Sequence, residues 1–151
     1  YTDGSSRGNP GPGGYGVVLM AGGRQKELSG GYRLTTNNRM ELMAVIKGLE
    51  ALKRPGLKVH IYSDSKYVVD AVEKGWLGNW IQKNFKDKKN KDLWLHYYKL
   101  SQQHHCKFIW VKGHADNPYN NRCDELATQA ADGKNLQMDA GFEQEAGLVG
   151  K

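Results

Sequence analysis

Residues 36–65 read TNNRMELMAVIKGLEALKRPGLKVHIYSDS, and this stretch decides the fold. Thr36-Asn37-Asn38 offers capping side chains for a helix N-terminus. Leu42, Val45, Ile46, Leu49 and Leu52 then recur at helical spacing as one apolar stripe, which predicts a helix running to about Lys53. Pro55-Gly56 stops it. Val59 to Ser63 is a short strand ending at Asp64-Ser65, and a second helix follows from Ser65 to Lys74.

On the N-terminal side, Thr2-Asp3-Gly4 reads as the end of a strand entering a dense run of turn formers that lasts to Gly14. A strand so short at Tyr1 implies further residues upstream. Tyr15 to Met20 is a strand, Gly22-Gly23 a turn, and Lys26 to Tyr32 returns antiparallel, so Tyr1 to Arg33 is a three-stranded meander. On the C-terminal side, Gly75 to Lys91 interleaves Trp76, Trp80 and Phe85 with Lys83, Lys86, Lys88, Lys89 and Lys91. A helical pattern through Leu93, Tyr97 and Leu100 follows, then a strand from Lys107 to Val111 and a loop holding Gly113, His114 and Pro118. The last helix is lined by Cys123, Leu126, Ala127, Ala130 and Ala131. The order β-β-β-α-β-α-α-β-α predicts an α/β fold, a five-stranded mixed sheet with helices on its faces. The domain is expected over residues 1–132, with 133–151 a weakly ordered, glycine-rich and polar tail.

The chain has 151 residues, 38% hydrophobic and 25% charged, which suits one soluble domain with a real core. No apolar run reaches the roughly 20 residues of a membrane span. Cys106 and Cys123 are too few for a disulfide framework and lack metal-ligand spacing, so reduced thiols in the cytoplasm are expected. The formal charge of +6 favours a polyanionic partner.

Four acids lie near core-facing positions: Asp3 and Asp64 at strand ends, Glu41 in the first turns of a helix, and Asp124 beside Cys123. Buried carboxylates need compensation by basic side chains or by a cation. Hard oxygen ligands without thiols or several imidazoles suit Mg²⁺ or Mn²⁺. Taken singly, each acid is better explained as a turn residue, a helix-end charge or a solvated acid, and spacing does not bring them together.

Several blocks in order carry a resemblance. Thr2-Asp3-Gly4-Ser5, Thr35-Thr36-Asn37-Asn38-Arg39-Met40-Glu41-Leu42, Ser63-Asp64-Ser65, Trp110-Val111-Lys112-Gly113-His114 and Asn121-Arg122-Cys123-Asp124-Glu125-Leu126-Ala127 are similar to the signature blocks of ribonuclease HI, in the bacterial form, from Tyr1 to about Asp132. The resemblance implies a ribonuclease H-like fold. It also implies an endonuclease that hydrolyses the RNA strand of RNA–DNA hybrids and leaves 3′-hydroxyl and 5′-phosphate ends. Asp3, Glu41, Asp64 and Asp124 would hold two Mg²⁺ ions, with Mn²⁺ able to substitute, and Asp3 would bridge them. His114 would take or pass a proton near neutrality.

For the substrate, the resemblance implies a basic protrusion over Trp76 to Lys91 that grips the DNA strand, with Trp76, Trp80, Lys86, Lys88 and Lys89 as its contacts. It implies a DNA phosphate pocket of Thr36, Arg39 and Asn90, and places Asn9, Asn37, Lys66 and Asn120 at the RNA 2′-hydroxyls. Lys66 stands where glutamine is frequent, and Ser6 where cysteine is. A monomer with no obligate protein partner is expected. Two other readings compete: a catalytically inactive hybrid-binding module, and a DNA-processing enzyme of the same broad fold.

Overall fold

Two adjacent valines show how the sheet is sandwiched. In the computed structural model, which describes residues 1–113 and 116–147, Val17 and Val18 are each 1% exposed, yet they serve different cores. Successive strand side chains point to opposite faces, so a strand buried at both must be covered on both. These valines lie on β2 (Gly11–Ala21), which pairs antiparallel with β1 (Thr2–Ser6) and with β3 (Arg24–Thr35). β4 (Lys58–Ser63) joins β1 in parallel and β5 (His105–Trp110) joins β4 in parallel. The sheet order is β3-β2-β1-β4-β5, the expected five-stranded mixed sheet.

The parallel pairs need helical crossovers. α1 (Asn37–Glu50) carries the chain to β4; α2 (Lys66–Glu73), α3 (Trp76–Gln82) and α4 (Lys91–Ser101) carry it to β5. α1 is capped by Thr36, whose side chain accepts from the Arg39 N–H. Arg39 through Ile46 are buried without interruption, because the sheet covers one side of α1 and α4 the other. Trp94 of α4 is wholly buried at the centre of this core and meets Trp80, Tyr97 and Tyr67 at ring-centroid distances of 5.6–6.0 Å. On the opposite face α5 (Pro118–Ala131) sets Cys123 and Leu126 against Val18. Both cysteines are free, and burial raises both thiols, Cys123 to about 12.

Three sequence expectations change. β1 continues through Ser6, so Asp3 is an interior residue of a strand and not its last one. Gly14, read as a turn former, lies within β2, and a Cβ there would stand 2.4 Å from the Ala127 carbonyl oxygen of α5. A Cβ on Gly16 would lie 2.2 Å from the Cys123 carbonyl oxygen, so α5 rests directly on the β2 backbone. Second, the basic segment contains α3, a helix the pattern did not announce. Third, the tail from Gln137 to Glu143 is held in place. Arg33 N–H donates to the Gln137 carbonyl (2.8 Å), and Gln137 N–H donates to that of Gly31 (2.9 Å). A further helix, α6 (Ala140–Glu145), is capped by Asp139 and fastened to β3 by two 2.9 Å bonds from Arg33 to Glu143. Polar composition misled here because the tail docks through ion pairs and backbone bonds, not an apolar stripe.

Candidate active site

Asp3, Glu41 and Asp64 come from three different elements and meet. One carboxylate oxygen of each lies within 4.8 Å of the others. β1 brings Asp3 in, and Gly4 lets α1 approach: a Cβ there would stand 2.2 Å from the backbone of Met40 and Glu41. The Gly4 N–H donates to both acids, at 2.9 Å to Asp3 Oδ1 and 2.6 Å to Glu41 Oε1. Asp64 follows the end of β4, which pairs with β1 through Thr2 and Ser63. Ser65 caps α2 just beyond it. The Trp110 indole N–H donates to the Asp64 carbonyl oxygen at 3.1 Å, tying the ends of β4 and β5 together.

Asp3 and Glu41 are 4% and 6% exposed, and no lysine or arginine pairs with any of the three acids among the described residues. Burial pushes the Asp3 carboxyl up to about 7 against the lowering effect of its hydrogen bond with Glu41; the charges of Asp64 and Asp124 add to the rise. Burial, then the neighbouring Asp3, holds Glu41 well above the ordinary carboxylate range. Crowded, desolvated carboxylates without basic partners are stabilised by a divalent cation, and an all-oxygen donor set is what a hard cation takes. Asp124 is half-buried on α5; it stands outside the group of three, although its charge acts on Asp3. His114 lies outside the described residues, and Gly113 just before it packs on Asp64 Oδ2.

The residues expected to meet substrate divide sharply. Around α3, Trp76, Trp80, Lys86 and Lys88 line an open cavity of about 500 Å³ together with Asn79, Lys83 and Asp87. The Lys88 ammonium lies 5.3 Å from the Trp80 ring centroid, and Phe85 anchors the segment in the core. Asn9, Thr36, Lys89 and Asn90 line a second cavity of about 330 Å³. Asn9 Oδ1 accepts from the Asn37 N–H at 2.9 Å. Lys66 is exposed, its ammonium 4.8 Å from the Trp110 ring centroid.

Two of the expected contacts are buried. Arg39, expected in a DNA phosphate pocket, is 1% exposed and does not line the second cavity. Its Nε and Nη2 donate to Asp139 (2.8 and 2.9 Å), its Nη1 and Nη2 to Asp92 (2.9 and 2.7 Å), and its Nη1 to Asn90 Oδ1 (3.3 Å). That uses all five donors of a guanidinium. Asn120, expected at the RNA 2′-hydroxyls, is 2% exposed on α5, and its Oδ1 has no hydrogen-bond partner among the described residues. Reasoning from sequence also missed Asp92, Asp139 and Trp110. Trp110 stood within a signature block without a role; nothing local to Asp92 or Asp139 signals that Arg39 is their common partner.

The comparisons with known proteins agree with this geometry. The RNase H family model matches residues 1–132. A ribonuclease H of Syntrophus aciditrophicus (strain SB) is 54% identical over 94% of this chain and 84% of its own length. Among solved structures, LC9-RNase H1, a type 1 RNase H with the type 2 active-site motif, superposes with a TM-score of 0.78 at 32% identity, over 97% of this chain and 78% of that one. LC11-RNase H1, solved in complex with an RNA/DNA hybrid, gives a TM-score of 0.66 at 28% identity over 87% and 94% of the two chains. Buried acids gathered on a five-stranded mixed sheet, the family match and relatives of this likeness have one reading: the chain belongs to the ribonuclease H family.

Proposed function

We propose that this protein is an endonuclease that hydrolyses the RNA strand of RNA–DNA hybrids with divalent metal, Mg²⁺ or Mn²⁺, leaving 3′-hydroxyl and 5′-phosphate ends. The observation that carries the reading is the convergence of Asp3, Glu41 and Asp64 without basic partners. Asp3, Glu41 and Asp64 would hold one ion and Asp3 would share a second with Asp124. Such a pair supplies an activated water and neutralises charge on the departing 3′ oxygen.

The chain's own groups do the rest. The Gly4 N–H fixes Asp3 and Glu41 relative to each other, and Trp110 fixes the Asp64 backbone, so three ligands are preorganised before substrate arrives. His114 would take a proton from water as the neutral imidazole, or as the imidazolium pass one to the leaving 3′ oxygen. Lysines of the α3 segment and the aromatic faces of Trp76 and Trp80 suit the DNA strand, by phosphate contact and stacking. Thr36 and Asn90, with Lys89, suit a DNA phosphate. Asn9, Asn37 and Lys66, near the RNA side in this reading, suit 2′-hydroxyls and phosphate; that hydroxyl separates RNA from DNA. The acting unit is a monomer in the cytoplasm.

The test uses an RNA–DNA hybrid with Mg²⁺ against RNA–RNA and DNA–DNA duplexes. Only the RNA of the hybrid should be cut, and Asp64→Asn should abolish cutting while hybrid binding persists. Binding without cleavage by the unaltered protein would overturn the reading in favour of an inactive binding module. Cleavage of DNA duplex with equal ease would favour a DNA-processing enzyme.

A further inference from the structure

The cavity lined by Asn9, Thr36, Asn38, Lys89 and Asn90 is closed on one side by Phe142, Glu145 and Ala146 of the docked tail. These three lie in and just after α6, which three sets of contacts hold against the sheet edge. Gln137 pairs with Tyr32 on β3, Glu143 takes both hydrogen bonds from Arg33, and Asp139 accepts from Thr35 Oγ1 at 2.7 Å and from Arg39. The tail is thus a wall of the cavity.

Charge decides what that wall does. Among the described residues that line the cavity, Lys89 is the single formal cation and Glu145 the single anion, so this described lining is neutral overall. Arg39, next to Asn90, adds nothing to the cavity's pull on an anion, since two carboxylates surround its one positive charge. Glu145 is exposed and makes no ion pair among the described residues, so its charge faces whatever enters. Repulsion between exposed charges a few ångströms apart is modest and screened by salt.

We infer that α6 completes the DNA-strand phosphate cavity and that Glu145 is a determinant of affinity, weakening the hold on that phosphate. This rests on the reading of the protein as a hybrid nuclease whose Thr36–Asn90 cavity takes a DNA phosphate. The cavity does not include Asp3, Glu41 or Asp64, so a contact made there is equal in ground and transition states, sets KM and leaves kcat alone.

The experiment compares the full chain with Glu145→Gln and Glu145→Lys on a short RNA–DNA hybrid with Mg²⁺, over a range of salt. Glu145→Gln should lower KM about threefold with kcat and Tm unchanged, the size of one exposed charge contact. Glu145→Lys should lower KM further and steepen the slope of log KM against log salt by about 1, as one added phosphate contact does. KM unchanged or raised in both variants, with no change in slope, overturns the inference. If the unaltered protein does not cut the hybrid, the nuclease reading itself is what fails, and the two failures are separate.

Discussion

A guanidinium placed among apolar side chains is stable only if every N–H finds an acceptor, and at Arg39 the acceptors come from far along the chain. Asp92 and Asp139 lie 53 and 100 residues away. Burial acts to raise Asp92, but its hydrogen bonds from Arg39 and the Arg39 charge outweigh that and hold it below the usual carboxylate range. Replacing Arg39 by Met removes the cation and leaves Asp139, 3% exposed, as an unpaired buried charge. The expected cost is about 3–5 kcal/mol, measured by urea unfolding. Loss of under 1 kcal/mol would mean that the network contributes little. This residue also shows a limit of reading sequence: the family resemblance of Asn-Asn-Arg-Met-Glu implies a phosphate ligand at Arg39 and says nothing of its buried ion pairs. Its burial is decided by partners that no local pattern reveals.

Elements repeat the lesson. α1, β4 and α2 were legible because each buries a stripe or run of its own residues, and the meander was legible from β-branched and aromatic runs between glycine turns. α3 and α6 were not, being seven and six residues long, with few buried side chains of their own. β1 was cut short in the reading because glycine signals a turn and a close approach equally well; only the helix resting on it tells which. Deleting residues 134–151 should lower Tm by about 10 °C, corresponding to ~3 kcal/mol from the loss of Asp139 beside the buried Arg39, which keeps only Asp92 and Asn90, and from the lost edge contacts. Calorimetry of the shortened chain checks this, and an unchanged Tm would show that the docked tail adds no stability. At the α3 segment, the combined change of Lys86, Lys88 and Lys89 to Ala should weaken hybrid binding and reduce its salt slope by about 2. An unchanged slope would make those lysines ordinary surface.

For the whole molecule, the carboxylate centre couples stability to pH and, with the proposed ion bound, to metal. Asp3 and Glu41 have folded-state pKa values raised above their unfolded ones. Their contribution to stability is therefore fully present below the ordinary carboxylate range near 4 and is lost as pH rises through about 7, the folded value at Asp3. A bound cation reverses this loss. Added Mg²⁺ should raise Tm by several degrees at pH 8 and by almost nothing at pH 5, with the pH 8 gain absent in Asp3→Asn. Equal gains at both pH values would place the cation elsewhere. The four acids were visible in sequence as positions near the core; the meeting of three of them depends on Gly4, on strand pairing and on Trp110, none of which spacing conveys.

The ion network around Arg39 also has a consequence for how the protein is made. During synthesis Arg39 and α1 leave the ribosome first, and Asp139 follows 100 residues later. At 5–20 residues per second that interval is roughly 5–20 s. Until it ends, α1 has an incompletely paired cation at its buried face, and β3 has an uncovered edge. The nascent chain can hold its meander and central helix together, but the native state closes only when the docking segment arrives. A translation pause shortly before Asp139 would prolong the interval in which this protein is exposed to chaperones, proteases and its own unfinished neighbours on the same message.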